Sequence, residues 1–236
     1  KLELITAAGI QHIVVVPFTR EFAAMDARAY VTDFLIANFR PAGIVIGYDH
    51  HFGHDRTGNI RLLEELQETF GFRVHEIPAQ VIDDAAVSST KIRKALQSGN
   101  VKDASEMLGR PYSLSGSVES GAHRGRTIGY PTANIAPDCS EQLIPATGVY
   151  AVQVIWQEQL YNGMLNIGYN PTVTTEHIRR IEVHLFDFGR DIYGASLEIR
   201  FIARLRDEVR FDSLESLKLQ LQQDEQASRS ILPTLP

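Results

Sequence analysis

The chain has 236 residues, 23 of them Lys or Arg and 29 Asp or Glu, for a formal net charge of −6 and a pI near 5.8. That length allows one large domain or two modest ones, each able to bury a core. The acidic balance excludes a general nucleic-acid or membrane-surface partner. No apolar run is long enough to span a bilayer, and no signal peptide is visible. A single cysteine, Cys139, excludes an intramolecular disulfide framework and suits a reducing cytoplasm. Set between Pro137-Asp138 and Ser140-Glu141, it reads as a loop thiol rather than a nucleophile.

The chain opens on Lys1 and runs at once into Leu2, Leu4 and Ile5, the spacing of a helix entered partway. Residues 12–18 are a β-branched apolar run and predict a strand buried on both faces. Ala27, Tyr30, Val31, Phe34 and Leu35 carry helical spacing across 26–39. Residues 43–47 predict a second short strand, Gly58 to Phe70 a second amphipathic helix ended by Gly71, and 72–77 a third strand. Alternation of strand and helix predicts a parallel, Rossmann-like sheet, whose ligands sit beyond the carboxyl ends of its strands.

Two segments fall at those ends. Residues 47–58 hold three histidines and two aspartates, which invite a metal, yet their spacing matches no strong zinc pattern. A solvated, ligand-facing loop fits them better. The second segment, Ser88-Ser89-Thr90-Lys91-Ile92-Arg93, opens a helix that ends near Gly99. Its hydroxyls are ordinary N-cap residues. They equally fit an anion at the helix N-terminus, with Lys91 and Arg93 adding charge.

Together, Val-Pro-Phe-Thr at 16–19, Gly-Tyr-Asp-His-His-Phe-Gly at 47–53 with Arg56 and Gly58, and Ser-Ser-Thr-Lys-Ile-Arg at 88–93 resemble the FMN adenylyltransferase module of bacterial bifunctional FAD synthetases. The resemblance implies that Ser88, Ser89, Thr90 and Arg93 belong to a nucleotide site. That family begins with a strand, a glycine-rich turn and a His-x-Gly-His motif, which nothing before Lys1 supplies. His51 to His54 matches by letter but lies in another element. The expectation is an adenylyltransferase module without its N-terminal start, with adenylyl transfer depending on that segment.

A short helix continues from Asn100 to Leu108, and Gly109-Arg110-Pro111 stops it. The expected domains are 1–109 and 110–236. From Tyr112 the pattern turns to short alternating runs at 113–120, 149–157, 160–167, 180–188 and 197–205, with a polar corner at Glu158-Gln159. Antiparallel strands at this spacing predict a small closed barrel. Asp212 is expected to cap a final helix, whose Leu214, Leu217 and Leu221 form a narrow apolar stripe that can lie on the barrel.

The stretch from Arg124 to Asn134 carries the chemistry. Gly121, Gly125 and Gly129 let backbone N–H groups approach a ligand, and Arg124 and Arg126 add positive charge. Pro131 fixes φ, and Thr132 and Asn134, two apart, share a side if extended. Their oxygens are hard ligands suited to Mg²⁺. The same residues also fit a glycine-rich turn entering a strand. Glu182 sits between apolar neighbours mid-strand, where a carboxylate needs a partner or a use. An outward glutamate paired with Arg180 or Arg200 is the plain alternative.

Gly125 to Asn134 matches, without a break, the Gly-Arg-x-x-Gly-(Phe/Tyr)-Pro-Thr-Ala-Asn signature of riboflavin kinases. Residues 181–188 with Asp191-Ile-Tyr-Gly194, 166–172, and Leu205-Arg-Asp-Glu-Val-Arg-Phe211 resemble its further motifs. The resemblance implies that the glycine loop, Arg126 and Pro131 hold the phosphates of ATP, that Thr132 and Asn134 hold Mg²⁺, that Glu182 is the general base, and that Arg206 lies near the flavin. It implies ATP-dependent phosphorylation of riboflavin to FMN in the cytoplasm. Two alternatives stand beside it: an enzyme that also makes FAD from FMN, and a non-catalytic flavin- or nucleotide-binding regulator.

Overall fold

The computed structural model describes residues 2–79, 81–82, 85–120, 124–169 and 179–235. Contacts divide the chain into two compact units, 1–81 and 82–236.

The first unit holds α1 (Leu2–Ala7), α2 (Arg20–Ala23) and a continuous helix made of α3 (Ala27–Ala29), a π-helical stretch Tyr30–Ile36, and α4 (Ala37–Phe39). Asp26 starts that helix by accepting from the amides of Arg28 and Ala29. Strand β1 (Gly43–Gly47) and strand β2 (Arg73–Ile77) pair in parallel, joined through α5 (Ile60–Phe70). Val31, Ile46, Leu63, Leu66 and Phe72 form the core between them. Gly71 ends α5 in the left-handed region at φ 75°. Residues 12–18 are not a strand. They run as irregular chain with Val15 70% and Phe18 80% exposed. An apolar run becomes a strand only where a ladder takes its N–H and C=O groups. Among the described residues, β1 and β2 pair only with each other, and Pro17 lacks a donor.

Asn59 caps α5 by accepting from the amides of Arg61 and Leu62. Asn59→Ala is expected to destabilise this unit by about 1 kcal/mol. A urea midpoint by far-UV dichroism that fails to move rejects the contribution of the cap.

Strands β3 (Val81–Ile82) and β4 (Ala85–Ala86) form a separate short ladder. In the second unit, α6 (Ser89–Gln97) and α7 (Val101–Leu108) precede six strands: β5 (Tyr112–Glu119), β6 (Ala133–Pro137), β7 (Gly148–Trp156), β8 (Gln159–Tyr169), β9 (Arg179–Leu185) and β10 (Ser196–Arg206). They close into an antiparallel barrel in the order β10-β5-β6-β9-β8-β7. Helices α8 (Arg124–Thr127) and α9 (Leu214–Ile231) complete the unit. The inward residues include Leu114, Val152, Leu165, Val183, Ile199 and Phe201. Leu96, Val101 and Ala104 join that same core. Helix α6, which carries the Ser88–Arg93 motif, and α7 thus pack with the barrel. The pattern of motifs changes at 109/110, whereas the break in contacts falls at Val81/Ile82.

Two local expectations change. The β7–β8 turn is Gln157-Glu158, with φ of 50° and 64°, one residue earlier than the expected corner. Trp156 pairs with Gln159, and a two-residue turn between right-twisted strands favours positive φ at both positions. Ser213, not Asp212, caps α9: its hydroxyl accepts from the Ser216 amide while the Ser216 hydroxyl accepts from the Ser213 amide. That reciprocal pair satisfies two end groups at once.

Candidate active site

Strand alternation decides which side of the barrel holds the chemistry. In β9, Ile181, Val183 and Leu185 face the core. Glu182 and His184 therefore face outward. There they line a cavity of about 820 Å³, walled on the far side by the first half of α9 and by residues 206–211. Register places Asn134 of β6 opposite Glu182 on one side, and Asn166 of β8 opposite it on the other. All three are half-buried. The Thr132 hydroxyl donates to Glu182 Oε2 at 3.5 Å. Thr132, Asn134 and Glu182, separate in sequence, are thus gathered at one place.

The glycine loop is tied to itself. The amides of Ile128 and Tyr130 both donate to the Gly125 carbonyl, at 3.2 and 2.9 Å. A Cβ on Gly125 would collide with the Tyr130 carbonyl oxygen, and Gly129 takes φ 86°. Glycine is required at the first by close approach and at the second by handedness. Pro131 follows, exposed, its carbonyl accepting from His184 Nδ1 at 2.7 Å. Gly121 lies outside the described residues, as do the side chains of Arg124 and Arg126. A smaller cavity of about 70 Å³ adjoins the other side of Thr132, between Phe188 and Asp191–Tyr193.

Arg206 reaches the large cavity, and three of its five N–H donors are committed elsewhere. Its Nε and a terminal nitrogen grip Asp224 at 2.7–3.1 Å, and the other terminal nitrogen donates to the Asp207 carbonyl. Asp224 is 3% exposed and also accepts from Gln220. The guanidinium lies 5.8 Å from the Phe211 ring centroid.

A second network holds the glycine loop to α9. The Tyr130 hydroxyl donates to Glu225 at 3.1 Å. Burial, together with that carboxylate, pushes the phenol above its usual range and keeps it protonated. Arg229 bridges Glu225 and Asp187 while stacking over Phe186. Its hydrogen bonds hold the Asp187 carboxyl below the usual carboxylate range. The sign follows: a depressed carboxylate stabilises the fold above its unfolded value, and that support is lost as pH falls through the folded one. Asp187 is largely exposed, so the support is small.

The other expected nucleotide residues lie on the first turns of α6. Ser88 is its N-cap, accepting from the Lys91 amide at 3.3 Å, and Ser89, Thr90 and Arg93 are exposed. In the 47–58 loop, Asp55 and Arg56 take positive φ, and His51 bonds the Asp49 carbonyl. Among the described residues, no three His, Cys, Asp or Glu side chains gather as a metal cluster.

Sequence reasoning missed Asn166, His184 and Glu208, all of which line the large cavity. Their signal was present as polar residues at outward strand positions or inside a quoted motif. It also read the Leu214/Leu217/Leu221 stripe as cover for the barrel. Leu221 does pack against the barrel residues Ala151, Met164 and Phe186, and all three leucines also wall the cavity, with Leu214 65% exposed.

The donor chemistry fits a magnesium ion. The Thr132 hydroxyl and the Asn134 amide carbonyl are hard oxygen donors, and the Glu182 carboxylate stands beside them, bonded to Thr132 and in register with Asn134.

A family model described as "Riboflavin kinase" matches residues 108–232. One described as "FAD synthetase" matches residues 1–91. The chain is 36% identical over 231 residues to a protein of Haemophilus influenzae described as a bifunctional riboflavin kinase/FMN adenylyltransferase, covering 98% of this chain and 74% of that protein. A Listeria monocytogenes protein of the same description is 36% identical over 235 residues, covering 100% of this chain and 74% of its own length. A solved structure from Streptococcus pneumoniae, described as a macrolide-efflux protein, aligns with a TM-score of 0.85 at 36% identity, covering 97% of this chain and 73% of that one. In the present chain, no helix among the described residues is long and apolar enough to cross a membrane.

Proposed function

The chain belongs to the bifunctional riboflavin kinase/FMN adenylyltransferase family, and from that membership we propose how its residues act. It is an enzyme with a riboflavin kinase domain, which uses ATP to convert riboflavin to FMN. In our reading, Glu182 accepts the proton of the riboflavin 5′-hydroxyl as that oxygen attacks the γ-phosphorus. A new P–O bond forms, and the bond to ADP breaks with its electron pair leaving on ADP. Phosphoryl transfer asks for position and charge neutralisation more than covalent chemistry. Thr132 and Asn134 would hold a Mg²⁺, which would offset charge on the phosphate oxygens. The backbone of the Gly125–Gly129 loop, Arg126 and Pro131 would hold those phosphates. The leucine wall and the ring of Phe211 suit a flat aromatic ring. Arg206 would reach the flavin from a guanidinium held in place by Asp224 and the Asp207 carbonyl.

One observation carries this reading: the Thr132 hydroxyl and the Glu182 carboxylate, 3.5 Å apart, open onto one cavity large enough for a flavin. The test is incubation with riboflavin, ATP and Mg²⁺, followed by chromatographic separation of riboflavin, FMN and FAD. FMN should accumulate. Tight flavin binding without FMN overturns the reading in favour of a regulator.

Thr132→Ala should raise the Mg²⁺ concentration for half-maximal rate by at least about tenfold, the loss that even outer partners of a bound metal typically cause. An unchanged Mg²⁺ dependence rejects Thr132 as ligand.

A second reading adds adenylyl transfer from ATP to FMN. The match of residues 1–91 to FAD synthetase and the hydroxyl-rich start of α6 favour it. We assign that role to 1–109 and the kinase to 110–236, with Ser88, Ser89, Thr90 and Arg93 at the nucleotide. FAD in the same chromatogram tests it. Work on ATP and free flavin, with Cys139 reduced, fits the cytoplasm, with neither nucleic acid nor membrane as partner.

A further inference from the structure

The backbone ladder between β6 and β9 has two register pairs, Asn134 with Glu182 and Ala133 with Val183. Thr132 lies beyond the last of them. The preceding residue cannot extend the ladder as a donor, because Pro131 has no N–H. A side chain takes over at that point. His184, two residues after Glu182 on the same outward face, has Nδ1 at 2.7 Å from the Pro131 carbonyl oxygen. A carbonyl can only accept, so Nδ1 carries the hydrogen. The imidazole is held in place by edge-on packing against Tyr130, with centroids 5.1 Å apart, and against Phe186, at 5.8 Å. That carbonyl belongs to the peptide entering Thr132. The bond therefore ties the residue that presents the hydroxyl to the strand that presents the carboxylate.

We propose that His184 is a positioning residue for phosphoryl transfer, setting the Thr132 hydroxyl against the Glu182 carboxylate through its bond to the Pro131 carbonyl. The proposal rests on the kinase chemistry given above. Its magnitude follows from geometry rather than from the bond alone. A neutral hydrogen bond contributes on the order of tenfold in an equilibrium. Displacement of a reacting group by ~1 Å can cost on the order of 10²-fold in rate.

The test compares three substitutions. His184→Leu removes the donor. His184→Asn places its amide nitrogen where Nδ1 stood, and His184→Gln places it nearer Nε2. His184→Leu and His184→Gln are expected to lower kcat by about 10- to 100-fold, with the riboflavin KM changed far less. His184→Asn should recover most of the turnover. Equal kcat in all three variants, or full turnover in His184→Leu, overturns the proposal. So does a loss confined to KM. An independent readout is the long-range ¹H–¹⁵N spectrum of the histidine in the wild-type protein. A proton on Nδ1 supports the tie, and a neutral ring protonated only on Nε2 refutes it. A wild-type protein that makes no FMN overturns the kinase reading, and this role with it. A wild-type protein that makes FMN beside an unimpaired His184→Leu overturns this role alone.

Discussion

Glu182→Gln is expected to lower kcat for FMN formation by about 10²- to 10⁴-fold, the usual contribution of a positioned base. The substitution keeps the shape of the side chain and can still accept from Thr132, but it cannot take a proton. Asn134 and Asn166, opposite residue 182 in register, are neutral and tolerate an amide beside them. Riboflavin and ATP binding should therefore persist, and kcat and kcat/KM should fall together, as when an interaction is made only in the transition state. Steady-state kinetics with HPLC detection of FMN reads both constants. Near-normal turnover rejects Glu182 as the base and returns it to the status of an outward strand glutamate.

The second large effect concerns stability. Arg206→Ala should destabilise the barrel unit by about 3–5 kcal/mol, because it leaves Asp224 as an uncompensated charge at 3% exposure. For a unit of this size, each kcal/mol lowers Tm by roughly 2–4 °C, so a fall on the order of 10 °C is expected. Replacing both partners with apolar residues, as in Arg206→Met with Asp224→Leu, should recover most of that loss, since a buried pair adds little over well-packed hydrophobic residues. Differential scanning calorimetry checks both outcomes. An unchanged Tm with a raised riboflavin KM in Arg206→Ala would mean that the arginine serves the flavin rather than the fold.

These two residues differ in how plainly they could be read. Glu182 stood out because a carboxylate sits mid-strand between apolar neighbours, and the alternation also said which way it points. Arg206 was placed near a flavin by resemblance alone. Its actual partner, Asp224, lies 18 residues further on, in a helix whose apolar stripe drew the attention. Nothing local to either residue announces that pairing. The run at 12–18 failed for a related reason. Composition reports how apolar a segment is, while a strand also requires a neighbour to complete its hydrogen bonds, and Val15 and Phe18 are left facing solvent.

By itself, the order of residues determined the local matters. The period of two in β9 sorts Ile181, Val183 and Leu185 from Glu182 and His184. Glycine marks the tight turn at 125 and the left-handed turn at 129, and helix ends appear at Gly71 and Gly109. Each is set by sterics or by water over a few residues. Tertiary structure alone decided that β6 lies beside β9, bringing Thr132 to a carboxylate fifty positions away, and that α9 packs on the barrel so that its first half walls a cavity. Strand order and helix placement depend on closing long loops and on the fit of the whole core. That is a property of all six strands together, and no single stretch of chain contains it.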